Sequence, residues 1–421
     1  RREACPLSYK PAMPAPAPWS CALLACAVLS CCFLSAATAW ASPGVAGSLA
    51  AAAAAELARK VTAPSAILME ATTGRVLWEK NADVARPIAS VVKIMTLTLV
   101  MEALEARRIG LGDMVITSEH VASMGGSQIW LEPGESMAVS DLVKSVAIES
   151  ANDAAVALAE HVAGSEAAFV AMMNEMARAL GCANTRFVNA TGLPEPGADS
   201  DCVSSARDVA IMSRELLRYP QIHEWLTIWI GYVRDGKNML TNTNRLVRFY
   251  PGADGLKTGY TDRAKYCLSA TAVRSNVRVI GVVLGVSTSS VRFAEASTLL
   301  DYGFKMCEAQ TLARAGQELG RVRVVRGVDT SVNVTVAHDL SVVTLRGEGG
   351  KVEARIALPE QLEAPVEQGR PVGRMVAFLD GVEVAQVDVI AAHAVPKAPW
   401  FQLISRHTRE YIRAHFLFTS G

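Results

Sequence analysis

Strand-forming stretches stand at the two ends of a long helical run, and this arrangement constrains the fold more than anything else in the chain. Ser65-Ala66-Ile67-Leu68-Met69 and Arg75-Val76-Leu77-Trp78, joined across Thr72-Thr73-Gly74, read as a hairpin. Far downstream, Leu256 to Thr258, Tyr266 to Val273 and Val277 to Val286 read as strands, the last two joined at Arg274-Ser275-Asn276. Between them lie helical patterns from Ser90 to about Ala106, Val139 to Ile148, Asp153 to Val162, and from Asp208 to about Arg218. A sheet must therefore be assembled from remote parts of the chain, with helices packed on it, which is an α+β arrangement.

Near Gln310 the pattern changes to short strands and turns. Arg321 to Val325, Ser331 to Val336, Ser341 to Leu345, Val352 to Ala357, Arg374 to Leu379 and Val382 to Ile390 fit strands, the last two joined by the Asp380-Gly381 turn. This predicts a separate small β-sandwich-like domain over residues 310–396, after a catalytic domain over 59–309. Residues 42–58 are Ala/Gly-rich and read as a loose linker, running into a short helix around Glu56 to Lys60. From residue 397 to 421 Gln402, Arg406, Arg409 and Arg413 fall on one helical stripe. Trp400, Leu403, Ile404, Tyr411 and Phe418 crowd the other side. A basic amphipathic helix of this kind suits an anionic membrane surface; the alternative is an ordinary helix packed on the β domain.

The first residues resemble a secretory signal over 1–41. Arg1, Arg2 and Lys10 precede an apolar run from Cys21 to Leu34, and Ala39-Trp40-Ala41 supplies small residues at a cleavage site before Ser42. Removing it takes away Arg1, Arg2, Lys10 and Glu3 and leaves 38 basic against 40 acidic residues. No basic block or aromatic-interleaved basic stripe remains in the body, so nothing there would neutralise a phosphate backbone, and a nucleic-acid partner is not expected. Five of the nine cysteines (Cys5, Cys21, Cys26, Cys31, Cys32) lie in the leader. Cys182, Cys202, Cys267 and Cys307 remain. Cys182 with Cys202 is the pair favoured if a disulfide forms, and separation alone does not decide between that bond and free buried thiols.

Three short motifs carry the chemistry. Ser90-Val91-Val92-Lys93 is the only S-x-x-K in the chain; Ser150-Ala151-Asn152 and Lys257-Thr258-Gly259 follow in that order, while Ser331-Val332-Asn333 is a second S-x-N in a strand-like segment. A serine hydroxyl is a weak nucleophile and needs an adjacent base. At a helix start, S-x-x-K places Ser90 and Lys93 one turn apart on one face. Lys93 can serve only when neutral, which burial and a second cation such as Lys257 would favour. The Ser90 amide and the amide of Tyr260 can donate to a developing oxyanion. Ser150 can relay protons, Asn152 can hold a substrate amide, and Lys257 and Thr258 offer a charge and a hydroxyl to a carboxylate. Each motif alone is as readily an N-cap, a snorkelling lysine or a turn. The seven histidines form no H-x-x-H, and no serine sits in a G-x-S-x-G elbow, so neither catalytic zinc nor a Ser-His-Asp triad is expected, and no cofactor is implied.

These residues resemble the serine D-Ala-D-Ala carboxypeptidases, the low-molecular-mass penicillin-binding proteins, over nearly the whole mature chain. The specific stretches are Pro87 to Thr96, Ser150 to Ala154, Ser204 to Asp208 and Asp254 to Thr261. The resemblance implies an antiparallel sheet flanked by helices, of the β-lactamase/transpeptidase-like kind, with a small C-terminal all-β domain and a terminal amphipathic helix. It also implies removal of the last D-alanine from peptidoglycan stem pentapeptides. Ser90 would be the nucleophile and Lys93 the base; Ser150 and Asn152 would be the second motif, and Lys257, Thr258, Gly259 and Tyr260 the substrate edge. Arg292 resembles a family arginine that also meets the substrate carboxylate. β-Lactams would acylate the same serine, and the protein would sit on the periplasmic side of the cytoplasmic membrane, held by its last helix. Two positions depart from the family pattern: Ala151 and Lys265 stand where glycine is usual. The rival functions are a β-lactamase, for which no E-x-x-L-N string lies between Asn152 and Lys257, a non-catalytic peptidoglycan-binding protein, and a transpeptidase.

Overall fold

The computed structural model describes residues 43–194, 197, 201–347, 350–405 and 408, with backbone alone for 43–51. The leader, residues 1–41, lies outside them. The early hairpin and the late strands do meet in one five-stranded sheet. Its strands are β1 (Ser65–Glu70), β2 (Val76–Lys80), β3 (Ala253–Thr261), β4 (Lys265–Arg274) and β5 (Val277–Val286), in the order β2-β1-β5-β4-β3. Every neighbouring pair is antiparallel. The first strand is thus joined to the last: Ser65 faces Leu284 and Glu70 faces Val279.

All six residues of β1 are buried. Successive side chains of a strand point to opposite faces, and both faces here are covered. Ile67, Met69, Ile280, Val282 and Leu284 join one core, Ala66, Leu68, Val279 and Val283 the other. The first core is roofed by the helical run: α2 (Lys93–Glu105), α3 (Val139–Ile148), α4 (Asn152–Ala163), α5 (Glu166–Ala179) and α6 (Ala206–Leu216). The second is closed by α7 (Ser289–Met306), through Ala296, Leu299 and Leu300, and by the end of α1 (Pro43–Lys60), through Leu57. Burying a large apolar side chain contributes roughly 1.5–3 kcal/mol, so Ile67, Leu68 and Met69 fasten β1 to both cores.

Helix α1 corrects the expectation of a loose linker. Alanine has the highest helix propensity, and the alanine run continues into Leu57 and Val61, which are buried under α7. Helix α5 was not expected either, although Ser165 caps it by accepting from the Ala168 amide and Phe169, Met173 and Ala177 recur every four residues on its buried face. Cys182, Cys202, Cys267 and Cys307 are all free and buried, so the Cys182–Cys202 bond is absent. Each of these two thiols instead faces backbone carbonyls: Cys182 Sγ lies 3.8 Å from the Asp208 oxygen and Cys202 Sγ 3.6 Å from that of Asn189.

After α7 the chain enters an all-β region. Cys307–Ala313 pairs with Leu340–Leu345, and six further strands form a second sheet in which Pro371–Leu379 and Val382–Ala391 are central partners. Its core is mostly valine, including Val322, Val332, Val334, Val342 and Val389, as β-branched residues on half-buried strands favour. Helix begins again at Trp400, where Trp400, Phe401 and Ile404 are exposed. The stripe residues Arg406, Arg409, Tyr411, Arg413 and Phe418 lie outside the described residues. Among the described residues no single helix is long and apolar enough to cross a membrane.

Candidate active site

Ser90 lies in a 3-10 turn, Ala89–Val92, that leads directly into α2, whose first residue is Lys93. The one-turn spacing holds: Lys93 Nζ is 3.0 Å from Ser90 Oγ. The same nitrogen is 2.6 Å from Asn152 Oδ1 and 2.8 Å from the Thr191 carbonyl oxygen. Lys93 is wholly buried. Burial, with the charge of Lys257 added, pulls its pKa well below the usual lysine value. An ammonium would donate to all three oxygens; the neutral amine donates to Asn152 and Thr191 and turns its lone pair to the Ser90 hydroxyl.

The second motif sits opposite. Ser150 is buried in a left-handed conformation with φ of 67°, and its Oγ has no hydrogen-bond partner among the described residues. Ala151, where glycine is usual, has φ of −58°, so the methyl group costs nothing in backbone freedom. Asn152 is held at three points. Its backbone N donates to the Ser127 oxygen at 2.7 Å, Nδ2 to the Gly125 oxygen at 2.7 Å, and Oδ1 accepts from Lys93. The asparagine expected to hold substrate is thus first an orienter of the lysine. Asp153, next in the chain, fixes the facing loop by accepting from the Ile129 and Leu131 amides.

The third motif runs along β3, an edge of the sheet. A Cβ on Gly259 would lie 2.6 Å from the Ile88 oxygen and 3.2 Å from the Ser90 nitrogen, so strand and serine turn touch backbone to backbone and only glycine fits. Lys257 is buried and donates to the Thr258 oxygen at 3.1 Å. Burial first, then the Arg292 charge, pulls its pKa down to about 7. Thr258 Oγ1 donates to Thr243 Oγ1 at 2.8 Å. Tyr260 is half exposed; its ring lies 4.4 Å from that of Tyr266 and its hydroxyl donates to Asp262. Arg292, on α7, donates from Nη1 to the Gly259 and Cys267 oxygens and from Nη2 to Ser289 Oγ. It therefore ties the end of β3 to β4, and burial lowers its pKa to about 10. Lys265, the other departure from glycine, is exposed at the start of β4 with φ of 55°, a conformation that costs a non-glycine residue about 1 kcal/mol.

The structure thus links Ser90, Lys93 and Asn152 by hydrogen bonds, sets Lys257 near enough for its charge to act on Lys93 and packs Gly259 on the serine turn, while Ser150 and Thr258 adjoin these residues in the chain and Arg292 holds the end of β3. It adds residues that sequence reasoning missed. The Thr191 carbonyl holds Lys93, and Gly192 packs on the Ala89 carbonyl, where a Cβ would lie 2.1 Å away. Asn189 shapes that turn, its Oδ1 accepting from the Thr191 and Gly192 amides. Asn-Ala-Thr-Gly is legible as a turn, but its place under the serine is not.

Comparison with known proteins agrees with this geometry. The profile of the D-alanyl-D-alanine carboxypeptidase family matches residues 50–288, and that of the penicillin-binding protein 5 C-terminal domain matches residues 308–397. The chain is 44% identical over 348 residues to the D-alanyl-D-alanine carboxypeptidase DacF of Bacillus subtilis, covering 82% of this chain and 88% of that one. To DacC of Escherichia coli it is 36% identical over 356 residues, 82% and 87% of the two chains. Among solved structures, penicillin-binding protein 5 from Haemophilus influenzae superposes with a TM-score of 0.58 at 33% identity, covering 80% of this chain and 98% of that one. PBP3 from Streptococcus pneumoniae, described as a peptidoglycan synthesis regulatory factor, gives 0.62 at 30% identity, with 80% and 99% covered. This chain belongs to the D-alanyl-D-alanine carboxypeptidase family and has the penicillin-binding protein fold.

Proposed function

We propose that this serine D-Ala-D-Ala carboxypeptidase removes the terminal D-alanine of peptidoglycan stem pentapeptides through an acyl-enzyme on Ser90, with Lys93 as the base. The observation that carries the reading is the 3.0 Å contact between Ser90 Oγ and a fully buried Lys93 Nζ whose charged form is disfavoured. Neutral Lys93 takes the Ser90 proton as Oγ attacks the penultimate carbonyl, and the Ser90 and Tyr260 amides receive the oxyanion. The Ser150 hydroxyl, buried and unpartnered among the described residues, relays that proton to the leaving nitrogen. The C–N bond breaks and D-alanine departs. Water then attacks the ester as Lys93 accepts its proton, the bond between the acyl carbon and Ser90 Oγ breaks, and Lys93 passes that proton to Oγ. Lys257 and Thr258 hold the substrate carboxylate, and Arg292 braces the strand that presents them.

β-Lactams acylate the same serine in this reading. Intact-protein mass after mixing with penicillin, wild type beside Ser90→Ala, is the direct test, followed by D-alanine release from a pentapeptide. A one-drug adduct lost in the variant, with D-alanine released by wild type alone, is expected; no adduct and no release would sink the acyl-enzyme. We also propose a localisation, from the residue patterns near the two chain ends. The leader pattern over 1–41 and the exposed Trp400, Phe401 and Ile404 support an exported enzyme held on the periplasmic face of the cytoplasmic membrane by an interfacial helix. Deleting the chain from Trp400 onward should release the processed protein from membranes, and continued association would exclude this anchor.

A further inference from the structure

Thr258 is assigned the substrate carboxylate, yet its hydroxyl proton is already committed. Thr258 Oγ1 donates to Thr243 Oγ1 at 2.8 Å. A threonine hydroxyl has one proton and two lone pairs, so Thr258 in this state offers only lone pairs to an approaching carboxylate, which has only lone pairs of its own. The free proton of the pair belongs to Thr243. No acceptor among the described residues takes it, and Thr243 is half-buried in the wall of an open groove that also contains Arg292.

Thr243 is also held from both sides. Its amide donates to the Ile148 oxygen at 3.1 Å, two residues before Ser150. Its neighbours turn inward: Asn242 and Asn244 are 4% and 1% exposed. Asn242 Nδ2 donates to the Leu226 and Ile228 oxygens, and its Oδ1 accepts from the Asn244 amide. Asn244 Nδ2 donates to the oxygen of Gly255, two residues before Lys257 on β3. One step earlier, Glu149 accepts from the Thr241 amide at 2.9 Å. The segment 241–244 therefore bridges the end of α3, which leads into the second motif, and β3, which carries the third. Thr243 itself touches both, through its amide and its hydroxyl. Satisfied buried polar groups make what they hold rigid, so this hydroxyl is presented from a fixed backbone.

We propose that Thr243 completes the carboxylate site, receiving the Thr258 proton on its oxygen and donating its own to the terminal carboxylate of the peptide. The inference rests on the Ser90 reading and deepens it. Lys257 supplies the charge, Thr258 and Thr243 act as two hydroxyls in series, and the carboxylate takes the one proton that the pair has left. A charged acceptor strengthens such a bond, and the first bond of a chain polarises the second. Position 243 is then a determinant of selectivity for ligands that end in a carboxylate.

The test uses benzylpenicillin and its methyl ester, which differ only in whether a free carboxylate is present. Second-order acylation is followed by intact-protein mass for wild type, Thr243→Val, Thr243→Ala and Thr243→Ser. Losing one hydrogen bond to a charged group slows a reaction by about tenfold or more. The valine and alanine variants should therefore acylate with the acid about tenfold or more slowly than wild type, and with the ester within about twofold of it. The serine variant, which keeps the hydroxyl, should restore the acid rate. With the pentapeptide the loss should fall on KM rather than kcat, because the carboxylate is held alike before and during acylation. The ester rate reports whether the fold and the Ser90–Lys93 pair are intact in each variant, and alanine repeats the prediction if valine does not fold. Valine and alanine variants with the wild-type acid rate and KM would show that Thr258 turns its own proton to the carboxylate, and would overturn the role. Equal slowing of acid and ester, or a loss confined to kcat, would overturn it too, leaving Thr243 a structural residue. These results leave the Ser90 reading standing; no penicillin adduct and no D-alanine release from wild type would remove that reading and Thr243 with it.

Discussion

Gly192→Ala tests how closely the nucleophile depends on a segment that carries no reacting group. Gly192 has φ of 79°, and a Cβ built there would lie 2.1 Å from the Ala89 oxygen and 2.4 Å from the Ala89 carbonyl carbon. Ordinary contact at such a pair is about 3.4 Å or more, so either the serine turn or the Thr191–Gly192 backbone must retreat by about 1 Å. Two costs are separable. The left-handed backbone costs alanine about 1 kcal/mol, and crowding in a packed site adds roughly 1–3 kcal/mol. A control separates them: Gly164, at the end of α4, has the same φ of 79° with nothing within 4 Å of its Cβ. Gly164→Ala should therefore lose about 1 kcal/mol of stability and acylate with penicillin at the wild-type rate. Gly192→Ala should lose about 2–4 kcal/mol and slow second-order acylation by about a hundredfold, since displacing a reacting group by 1 Å has effects of that order. Urea unfolding gives the first quantity, and stopped-flow acylation under conditions where the variant is folded gives the second. Wild-type acylation by folded Gly192→Ala would refute the argument, because it would mean that the retreat leaves Ser90 and Lys93 in register.

Two further outcomes follow from buried groups. Lys257 titrates at about 7 in the free enzyme, and kcat/KM reports free-enzyme ionisations. If its charge holds the substrate carboxylate, kcat/KM should fall as pH rises above about 7 and Lys257→Gln should lose that limb; a flat wild-type profile from pH 7 to about 9 would remove the role. The sign for stability is opposite. Between about 7 and 10.5 the unfolded chain keeps a proton that folded Lys257 has released, so this residue makes the protein more stable as pH rises through that window. The thiols give a simpler check. Cys182, Cys202, Cys267 and Cys307 are free and buried, and burial pushes Cys182 up to about 12 and Cys267 and Cys307 up to about 11. The native protein without its leader should resist an aromatic disulfide reagent and release four equivalents on unfolding without reductant. Two or fewer would show a disulfide after all.

The parts of this protein that sequence alone determined are those governed by neighbours in the chain. The apolar strand-forming runs Ser65–Met69 and Val277–Val286, the helix Val139–Ile148 and the one-turn spacing of Ser90 and Lys93 all follow from local residue pattern, and the structure keeps them. Where a local signal was ambiguous the reading failed: the alanine-rich stretch before Lys60 looks loose by composition and is helical by propensity, and Leu57 gains a partner only when α7 arrives. Tertiary structure alone decided the rest. Thr191 holds Lys93 with a backbone carbonyl, which every residue possesses, so no residue type could announce it across ninety-eight positions. Whether Cys182 bonds Cys202 and whether Asn152 faces the lysine depend on where helices packed on a remote sheet place them. Hydrogen bonds and charges act over a few ångströms of space, and the chain fixes those distances only after its two ends have paired.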